Sequence, residues 1–422
     1  MTSPRIRRWS MSMHRCLFCS SSLQEVFADL GMSPLSNAFV SPEHASEMEL
    51  FFPLTAYVCR ECLLVQVPQF EVPERIFSDT YAYFSSFSDT WLAHVRHYVD
   101  EMIARYNIGP SSQAIEIASN DGYLLQYFVA RGVKVLGIEP AANCARAAEE
   151  RGVASLTAFF NSATARQLVE SGKAADLLLG NNVLAHVPEL NDFVDGLRIA
   201  LKPSGVVTME FPHLLRLIEQ NQFDTIYHEH FSYFSLRIVQ RIFDEHELQI
   251  FDVEQLPTHG GSIRIHAQHG GSGIHKVTGN VDAILEAERD AGMDRIETYR
   301  HFAARAQKVK RDLLRFLIDA KDSGKRVAAY GAPAKGNTLL NYCGIRTDLL
   351  PFTVDRSPHK QGKLLPGTRI PVRAPQELIA EKPDYVLILP WNIKDEITEQ
   401  MNCVREWGGR FVVPIPQLQV IE

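Results

Sequence analysis

The architecture follows from Ala114-Ile-Glu-Ile-Ala-Ser-Asn-Asp-Gly-Tyr123, in which a short apolar run leads into a polar turn. A bounded apolar run of this length is typical of a buried strand. Helical and strand patterns then alternate, with a second strand over 133–139 and a further one from Asp176 to Gly180. Such alternation indicates a parallel sheet that binds ligands at the carboxyl ends of its strands. We therefore predict an α/β fold with a central Rossmann-like domain.

The turn after the first strand predicts the kind of ligand. It is not GxGxxG, so a dinucleotide pyrophosphate is poorly supported, although an NAD-binding or unliganded sheet stays open. The second strand ends in Glu139, whose carboxylate can bind both hydroxyls of an adenosine ribose. Acidic side chains in the turn favour a cationic ligand tail. The predicted cofactor-binding residues are Glu116, Ala118, Ser119, Asn120, Asp121, Gly122, Glu139, Pro140, Asn181 and Asn182.

Four of the seven cysteines form two pairs, Cys16/Cys19 and Cys59/Cys62. Two residues between sulfurs allow both thiolates of a pair to face one ion, and two pairs supply the four soft ligands that zinc prefers. A closed four-thiolate site has no open position, so we expect the zinc to be structural. Redox thiols or core cysteines are the alternatives.

Composition excludes several classes of function. The 422 residues contain 43 Lys and Arg against 50 Asp and Glu, a net charge of −7, which argues against a nucleic-acid partner. No apolar run approaches the roughly 18 residues of a membrane span, so no membrane partner is expected. Residues 1–13 are predicted to be a disordered leader, because basic residues there are not followed by the apolar core of a secretory signal. We expect a cytoplasmic protein.

Tyr227-His-Glu-His230 crowds a phenol, two imidazoles and a carboxylate into four residues. The segment is not HExxH, because Ser232 occupies the second histidine position. General acid and base chemistry fits better, since histidine titrates near neutral pH and Glu229 can orient it. An extended segment would place His228 and His230 on one face, whereas a helix start would spread them. A polar surface turn is the alternative.

The final third predicts a second small parallel sheet. A long helical stretch from 282 to 320 precedes a strand and the loop Gly331-Ala-Pro-Ala-Lys-Gly-Asn337, which opens a helix where an anion can bind. Asn337 stands where a P-loop has its lysine, so ATP hydrolysis is not predicted. The alternative is a structural domain with a solvated basic loop. The predicted substrate-binding residues are His228, His259, Gly260, Lys335, Asn337, Asp355 and Lys363.

Taken in order, the two CxxC pairs and the motifs TYAYFSSFS, SNDGYLL, NNVLAHV, IYHEHFSYFS and YGAPAKGN resemble the S-adenosylmethionine-dependent sugar C-methyltransferases. The resemblance covers nearly the whole chain after residue 13. It implies a zinc-binding domain over 14–70, a class I methyltransferase domain over 71–270, and a nucleotide-sugar-binding Rossmann-like domain over 271–422. The implied cofactor is S-adenosylmethionine. The implied substrate is a nucleotide diphosphate deoxysugar with a 4-keto group, and the position typically methylated is C-3.

The resemblance also implies an active site between the domains, formed by Tyr81, His186, Tyr227, Glu229 and His230. A ketone acidifies the neighbouring C–H, so the enzyme needs a base, an enolate-binding donor and a methyl donor in line. We predict His230 as the base, helped by Glu229, with Tyr227 and His186 as relay or enolate-binding groups and Tyr81 positioning the sugar. Base and relay are interchangeable between His230 and Tyr227.

Two other functions fit parts of the sequence. An NAD-dependent oxidoreductase of a nucleotide sugar would use either predicted sheet. A zinc-ribbon nucleic-acid-binding adaptor would use the cysteines, against the net charge. The sequence leaves the oligomeric state open, with a monomer among the possibilities.

Overall fold

A computed structural model describes residues 14–72, 84–87 and 89–421. The predicted leader 1–13 and Tyr81 lie outside the described residues. In the described ranges, none of the helices has the length and apolar character that a bilayer crossing demands.

The N-terminal sheet contains a strand from the middle of the chain. Its four strands are antiparallel in the order β1-β2-β3-β9, and Val65 of β3 pairs with Tyr233 of β9. The segment after Tyr227-His-Glu-His230 thus completes a sheet whose other strands lie between the two cysteine pairs and just after the second pair. The strands are β1 (Glu25–Ser33), β2 (Phe52–Val58), β3 (Val65–Gln66) and β9 (Ser232–Tyr233).

The central sheet confirms the predicted Rossmann-like fold. Seven strands run in the order β10-β11-β8-β7-β4-β5-β6, and only β11 among them is antiparallel to its neighbours. The strands are β4 (Gln113–Ile117), β5 (Lys134–Ile138), β6 (Ser155–Leu156), β7 (Ala175–Asn181), β8 (Leu201–Pro212), β10 (Leu248–Leu256) and β11 (Ser262–His269). The helices are α1 (Asp89–Tyr106), α2 (Leu125–Val129), α3 (Ala142–Glu150), α4 (Ser162–Glu170), α5 (Leu190–Ala200), α6 (Leu214–Glu219) and α7 (Leu236–Glu245).

The C-terminal sheet has six strands in the order β14-β13-β12-β15-β16-β17, all parallel except β17. The strands are β12 (Val327–Tyr330), β13 (Thr353–Val354), β14 (Val372–Arg373), β15 (Tyr385–Ile388), β16 (Arg410–Val413) and β17 (Gln419–Ile421). The helices are α8 (Gly279–Asp290), α9 (Ile296–Arg300), α10 (Phe302–Asp322), α11 (Ala334–Cys343), α12 (Gln376–Glu381) and α13 (Lys394–Gln400).

The helical stretch expected over about 282–320 is divided into three helices in the structure. Gly292 follows the first of them with a φ of +74°, a left-handed conformation that glycine adopts without a Cβ penalty. Its N–H donates to the carbonyl of Arg289, which closes the helix end.

One apolar core joins the N-terminal sheet, α6, β9 and the C-terminal sheet. Phe27 of β1 stacks on Phe302 of α10 with ring centroids 4.4 Å apart. Burial of such large side chains contributes roughly 1.5–3 kcal/mol each. The N-terminal sheet is therefore packed against the rest of the protein, and the segment Phe223–Phe231 lies between the packed parts. The domain limits at 70 and 270 stay predictions.

Candidate active site

The four cysteines of the two pairs converge as predicted. Their Sγ atoms all lie within 4.8 Å of one another, with 3.5 Å between Cys16 and Cys62 and between Cys19 and Cys59. Zinc–sulfur bonds of about 2.3 Å place tetrahedral sulfurs roughly 3.8 Å apart, so the cluster fits one zinc ion. The Gln66 amide donates to Cys16 Sγ at 3.3 Å, which helps to fix that ligand.

The predicted cofactor turn, residues 118–122, contains three residues with left-handed backbone. Ala118, Asn120 and Gly122 have φ angles of 56°, 48° and 73°. The Glu139 carboxylate, at the end of β5, accepts from the backbone N–H of Asn120 at 2.9 Å and of Ala141 at 2.8 Å. Burial raises the pKa of Glu139 to about 7. A carboxylate has about four acceptor positions, so two hydroxyls of a ribose can still bind it.

Close packing beneath the turn explains a glycine in β5. A Cβ on Gly137 would lie 2.3 Å from Ser119 Oγ, so a larger residue would displace the turn. Glu116 is fully buried in β4, and burial raises its pKa well above the usual range.

Asn120 and Asp121 tie the turn to the short segment 84–87. Asn120 Oδ1 accepts from the backbone N–H of Ser85 at 2.9 Å. Asp121 Oδ2 accepts from Ser86 and pairs with Arg151 at 2.7 Å. Asp121 Oδ1 is buried without a hydrogen-bond partner in the described part of the chain. An unpartnered buried acceptor fits the cationic amino-acid tail of S-adenosylmethionine.

Tyr227-His-Glu-His230 is neither strand nor helix, so neither predicted geometry holds. Instead, hydrogen bonds from the N-terminal, central and C-terminal parts of the chain hold the residues on either side of the segment. Thr338 Oγ1 of α11 donates to the carbonyl of Ile226 at 3.1 Å. The Phe231 N–H donates to the carbonyl of Ala185 at 2.7 Å, and the Phe231 carbonyl accepts from Val67 at 2.9 Å.

Tyr227 and His230 form a hydrogen-bonded pair. His230 Nδ1 donates to the carbonyl of Thr225 at 3.1 Å, so Nε2 carries the lone pair and accepts from the Tyr227 hydroxyl at 2.7 Å. The ring of His186 lies edge-on to that of His230, with centroids 4.6 Å apart. Burial lowers the pKa of His230 well below its usual value and that of His186 to about 4. Both imidazoles are neutral at pH 7, which is the form a base requires.

Glu229 and His228 contact the N-terminal part of the protein instead of His230. The Glu229 carboxylate accepts from Asn37 Nδ2 at 2.8 and 2.9 Å. His228 Nε2 donates to the carbonyl of Pro53 at 3.1 Å, beside the ring of Phe52. Glu229 was predicted to orient His230. The Thr225 carbonyl makes that contact instead. The contacts of His228 are those of a packing residue.

His259 and Gly260 form a wall beside the end of β7 and the indole of Trp391. Asn182 Nδ2 lies 2.9 Å from His259 Nε2, and both residues have left-handed backbone, with φ angles of 56° and 54°. A Cβ on Gly260 would lie 2.7 Å from the ring of Trp391, so glycine permits this close approach. Trp391 Nε1 donates to Asp224 at 2.7 Å. The neighbouring Asn181 has its Nδ2 buried without a partner in the described ranges.

The predicted substrate-binding residues of the C-terminal domain differ in what they contact. Lys335 contacts the wall just described: its Nζ lies 4.8 Å from the Trp391 ring centroid. Asn337 donates to the carbonyl of Ser36 at 2.6 Å, and Asp355 accepts from the N–H groups of Ala332 and Ser357, so both hold the backbone. Lys363 is half-buried on the loop after β13.

Sequence reasoning missed several site residues: Asn37, Thr225, Asp224 and Trp391. Asn37 lies 192 residues before Glu229, and no sequence pattern marks it. Trp391 is one of four tryptophans in the sequence. Only the folded structure shows that its indole contacts Asp224 and lies beside Gly260.

Two solved methyltransferase structures are similar to less than half of the chain. Magnesium protoporphyrin IX methyltransferase from Synechocystis with bound S-adenosylhomocysteine shares 14% identity at a TM-score of 0.35, over 47% of this chain and 92% of that chain. An S-adenosylmethionine-dependent methyltransferase from Clostridium acetobutylicum shares 10% identity at a TM-score of 0.34, over 43% and 92%.

Sequence relatives decide the family. Family models match a zinc binding domain over 16–77, a methyltransferase domain over 91–253 and a C-methyltransferase C-terminal domain over 257–416. C-methyltransferase NovU from Streptomyces niveus is 36% identical over 406 residues, 96% of each chain. Ubiquinone biosynthesis O-methyltransferase from Bartonella bacilliformis is 25% identical over 126 residues, 29% of this chain and 51% of that protein. The chain belongs to the S-adenosylmethionine-dependent C-methyltransferases that carry an N-terminal zinc-binding domain.

Proposed function

We propose that this C-methyltransferase methylates C-3 of a nucleotide-linked 4-keto-deoxysugar, beside the ketone, through an enolate. The observation that carries the proposal is the Tyr227–His230 pair, a neutral base linked to a phenol at 2.7 Å. A methyl group transferred to carbon needs a carbanion equivalent, and a ketone supplies one when a base removes the neighbouring proton. The sugar substrate is supported by the motifs shared with the sugar C-methyltransferases.

The base side of the reaction uses three groups in a row. The Thr225 carbonyl holds the Nδ1 proton of His230, so Nε2 is the basic atom. Tyr227 passes its phenolic proton to Nε2 as its oxygen takes the proton from C-3, and the electron pair of that C–H bond moves toward the ketone oxygen. A positioned base contributes roughly 10²–10⁴-fold. Direct removal by Nε2 gives the same products.

S-adenosylmethionine supplies an electrophilic methyl group on a sulfonium when bound. Glu139 and Asp121 are the residues that would hold its ribose and its amino-acid tail. Since the carboxyl ends of β4, β5 and β7 lie along one edge of the central sheet, the cofactor turn and Asn182 share that edge. This arrangement supports a methyl donor placed beside His186 and His230.

The remaining groups position the sugar. His186, next to His230, is proposed as a second relay, and Tyr81 as a sugar contact. The C-terminal sheet is proposed to bind the nucleotide diphosphate beyond the carboxyl ends of β12 and β13, where the loop with Lys363 supplies positive charge. A cation favours a diphosphate in that position.

The deciding experiment is mass spectrometry of products from a panel of nucleotide 4-keto sugars incubated with enzyme and S-adenosylmethionine. We expect one sugar to gain the mass of a methylene group, with the new methyl on C-3 by NMR. The matched control is the same sugar reduced to its 4-hydroxy form, which cannot enolise and should not react. Methylation of the reduced sugar, or a methyl found on oxygen, would refute the proposal.

A further inference from the structure

Lys335 lies in the first turn of α11, the helix that packs against the residue before Tyr227-His-Glu-His230. It lies three residues before Thr338, so the two side chains share one helix face. Thr338 Oγ1 donates to the carbonyl of Ile226, immediately before Tyr227. The face that carries Lys335 is therefore packed against the backbone that positions the proposed base.

The Lys335 ammonium is held beside an aromatic platform. Its Nζ lies over the ring of Trp391 at 4.8 Å and donates to Asn392 Oδ1 at 2.7 Å. The same indole donates to the buried Asp224 and meets Gly260, next to His259. Trp391 thus links Lys335 to Asp224 and to the wall formed by His259 and Gly260.

The charge of Lys335 acts on two imidazoles of the proposed site. Burial lowers the pKa of Lys335 to about 8, opposed by Asp224, so it remains mostly charged at pH 7. Burial lowers the pKa of His259 to about 4, and the charge of Lys335 is the next cause. The pKa of His230 is lowered by burial first, with Lys335 among the further causes. An ammonium has three N–H donors, and Asn392 takes one of them.

We propose that Lys335 is a further catalytic residue, which donates a hydrogen bond to the ketone oxygen of the substrate and stabilises the enolate. The inference rests on the proposed function and departs from the diphosphate contact that the sequence motif suggested. The C-3–H bond breaks, its proton goes to the Tyr227–His230 pair, and the charge that develops on oxygen faces the ammonium. The enolate carbon then bonds the methyl, and the sulfonium becomes a thioether. Lys335 keeps its proton throughout.

The test compares Lys335→Met, which removes the charge, with Lys335→Arg, which keeps it. Two rates are measured: methyl transfer, and exchange of the C-3 proton in deuterated water with S-adenosylhomocysteine in place of the methyl donor. We expect Lys335→Met to lower kcat and the exchange rate together by about 10²–10³-fold, with KM changed only a few-fold. Lys335→Arg should recover part of both rates. The control is Lys308→Met, at an exposed lysine of α10, which should match the wild type.

The opposite pattern overturns the inference: a raised KM in Lys335→Met with intact kcat and exchange would assign Lys335 to the diphosphate. If Lys335→Met fails to fold, Lys335→Ala is assayed with added alkylammonium ions, and rescue of exchange is expected. Absence of rescue in a folded Lys335→Ala, or failure of both variants to fold, overturns it too. A wild type that neither exchanges nor methylates any 4-keto sugar refutes the proposed function itself, whereas active wild type with active Lys335→Met refutes only the role of Lys335.

Discussion

The side-chain amide of Asn37 donates to both carboxylate oxygens of Glu229, at 2.8 and 2.9 Å. Asn37 follows β1 of the N-terminal sheet, and Glu229 lies between the two histidines of Tyr227-His-Glu-His230. The zinc-bearing part of the chain thus has a direct contact with the segment that carries the proposed base.

Replacing Asn37 by Ala should leave the buried Glu229 carboxylate without its side-chain amide donor. The loss of a partner for a buried charged group costs roughly 1–3 kcal/mol. Burial already raises the pKa of Glu229 to about 7, and removal of the donor raises it further. A raised folded-state pKa means that the contribution to stability is present at low pH and is lost as the pH rises through it. The melting temperature of Asn37→Ala should therefore fall more at pH 8 than at pH 6.

The control for that variant is Asn402→Ala, at an exposed position. Methyl transfer by Asn37→Ala should be slower at least tenfold, with unchanged affinity for S-adenosylmethionine by calorimetry. An Asn37→Ala enzyme with wild-type melting curves at both pH values would contradict the structural importance of this contact.

Cys59→Ser should remove one of four zinc ligands. Because structural zinc sites contribute directly to folding, we expect less than one equivalent of bound zinc by elemental analysis and a lower melting temperature. Cys403→Ser, which changes a cysteine outside the cluster, should retain full zinc content. Equal zinc content in both variants would show that Cys59 is not a ligand.

His230→Gln should abolish methyl transfer and leave S-adenosylmethionine binding intact. Burial keeps the His230 imidazole neutral by lowering its pKa, so the base form persists below neutral pH. The acid limb of the wild-type kcat profile should accordingly have its midpoint below the usual histidine value of about 6.5. The exposed His97 provides the control, since His97→Gln should be fully active. A midpoint above 6.5 would be incompatible with His230 as the titrating base.

Glu139→Ala should weaken the binding of S-adenosylmethionine. The variant removes the acceptor for two backbone N–H groups that shape the turn, and hydrogen bonds to charged groups contribute roughly 1.5–3 kcal/mol each. We expect Kd to rise at least tenfold by calorimetry while the circular dichroism spectrum stays unchanged. Glu150→Ala, at an exposed end of α3, should bind as the wild type does. Equal Kd values for both variants would move the ribose site elsewhere.

Patterns within short windows predicted much of this protein. Alternating apolar runs and helical patterns gave the two Rossmann-like sheets, because burial of a strand needs only its own residues to be apolar. The two CxxC pairs predicted the zinc cluster, because the spacing within each pair fixes how its sulfurs face an ion. The acidic end of β5 marked Glu139 for the same local reason.

Only the tertiary structure determined how the side chains of Tyr227-His-Glu-His230 are arranged. Asn37 reaches Glu229 across 192 residues, Trp391 reaches Asp224 across 167, and Thr338 reaches Ile226 across 112. Residue types predicted Tyr227 and His230 as catalytic candidates, but which side chains face each other depends on hydrogen bonds between distant parts of the chain. Periodicity and spacing contain no information about such partners, because the partners meet only when three packed sheets bring them together.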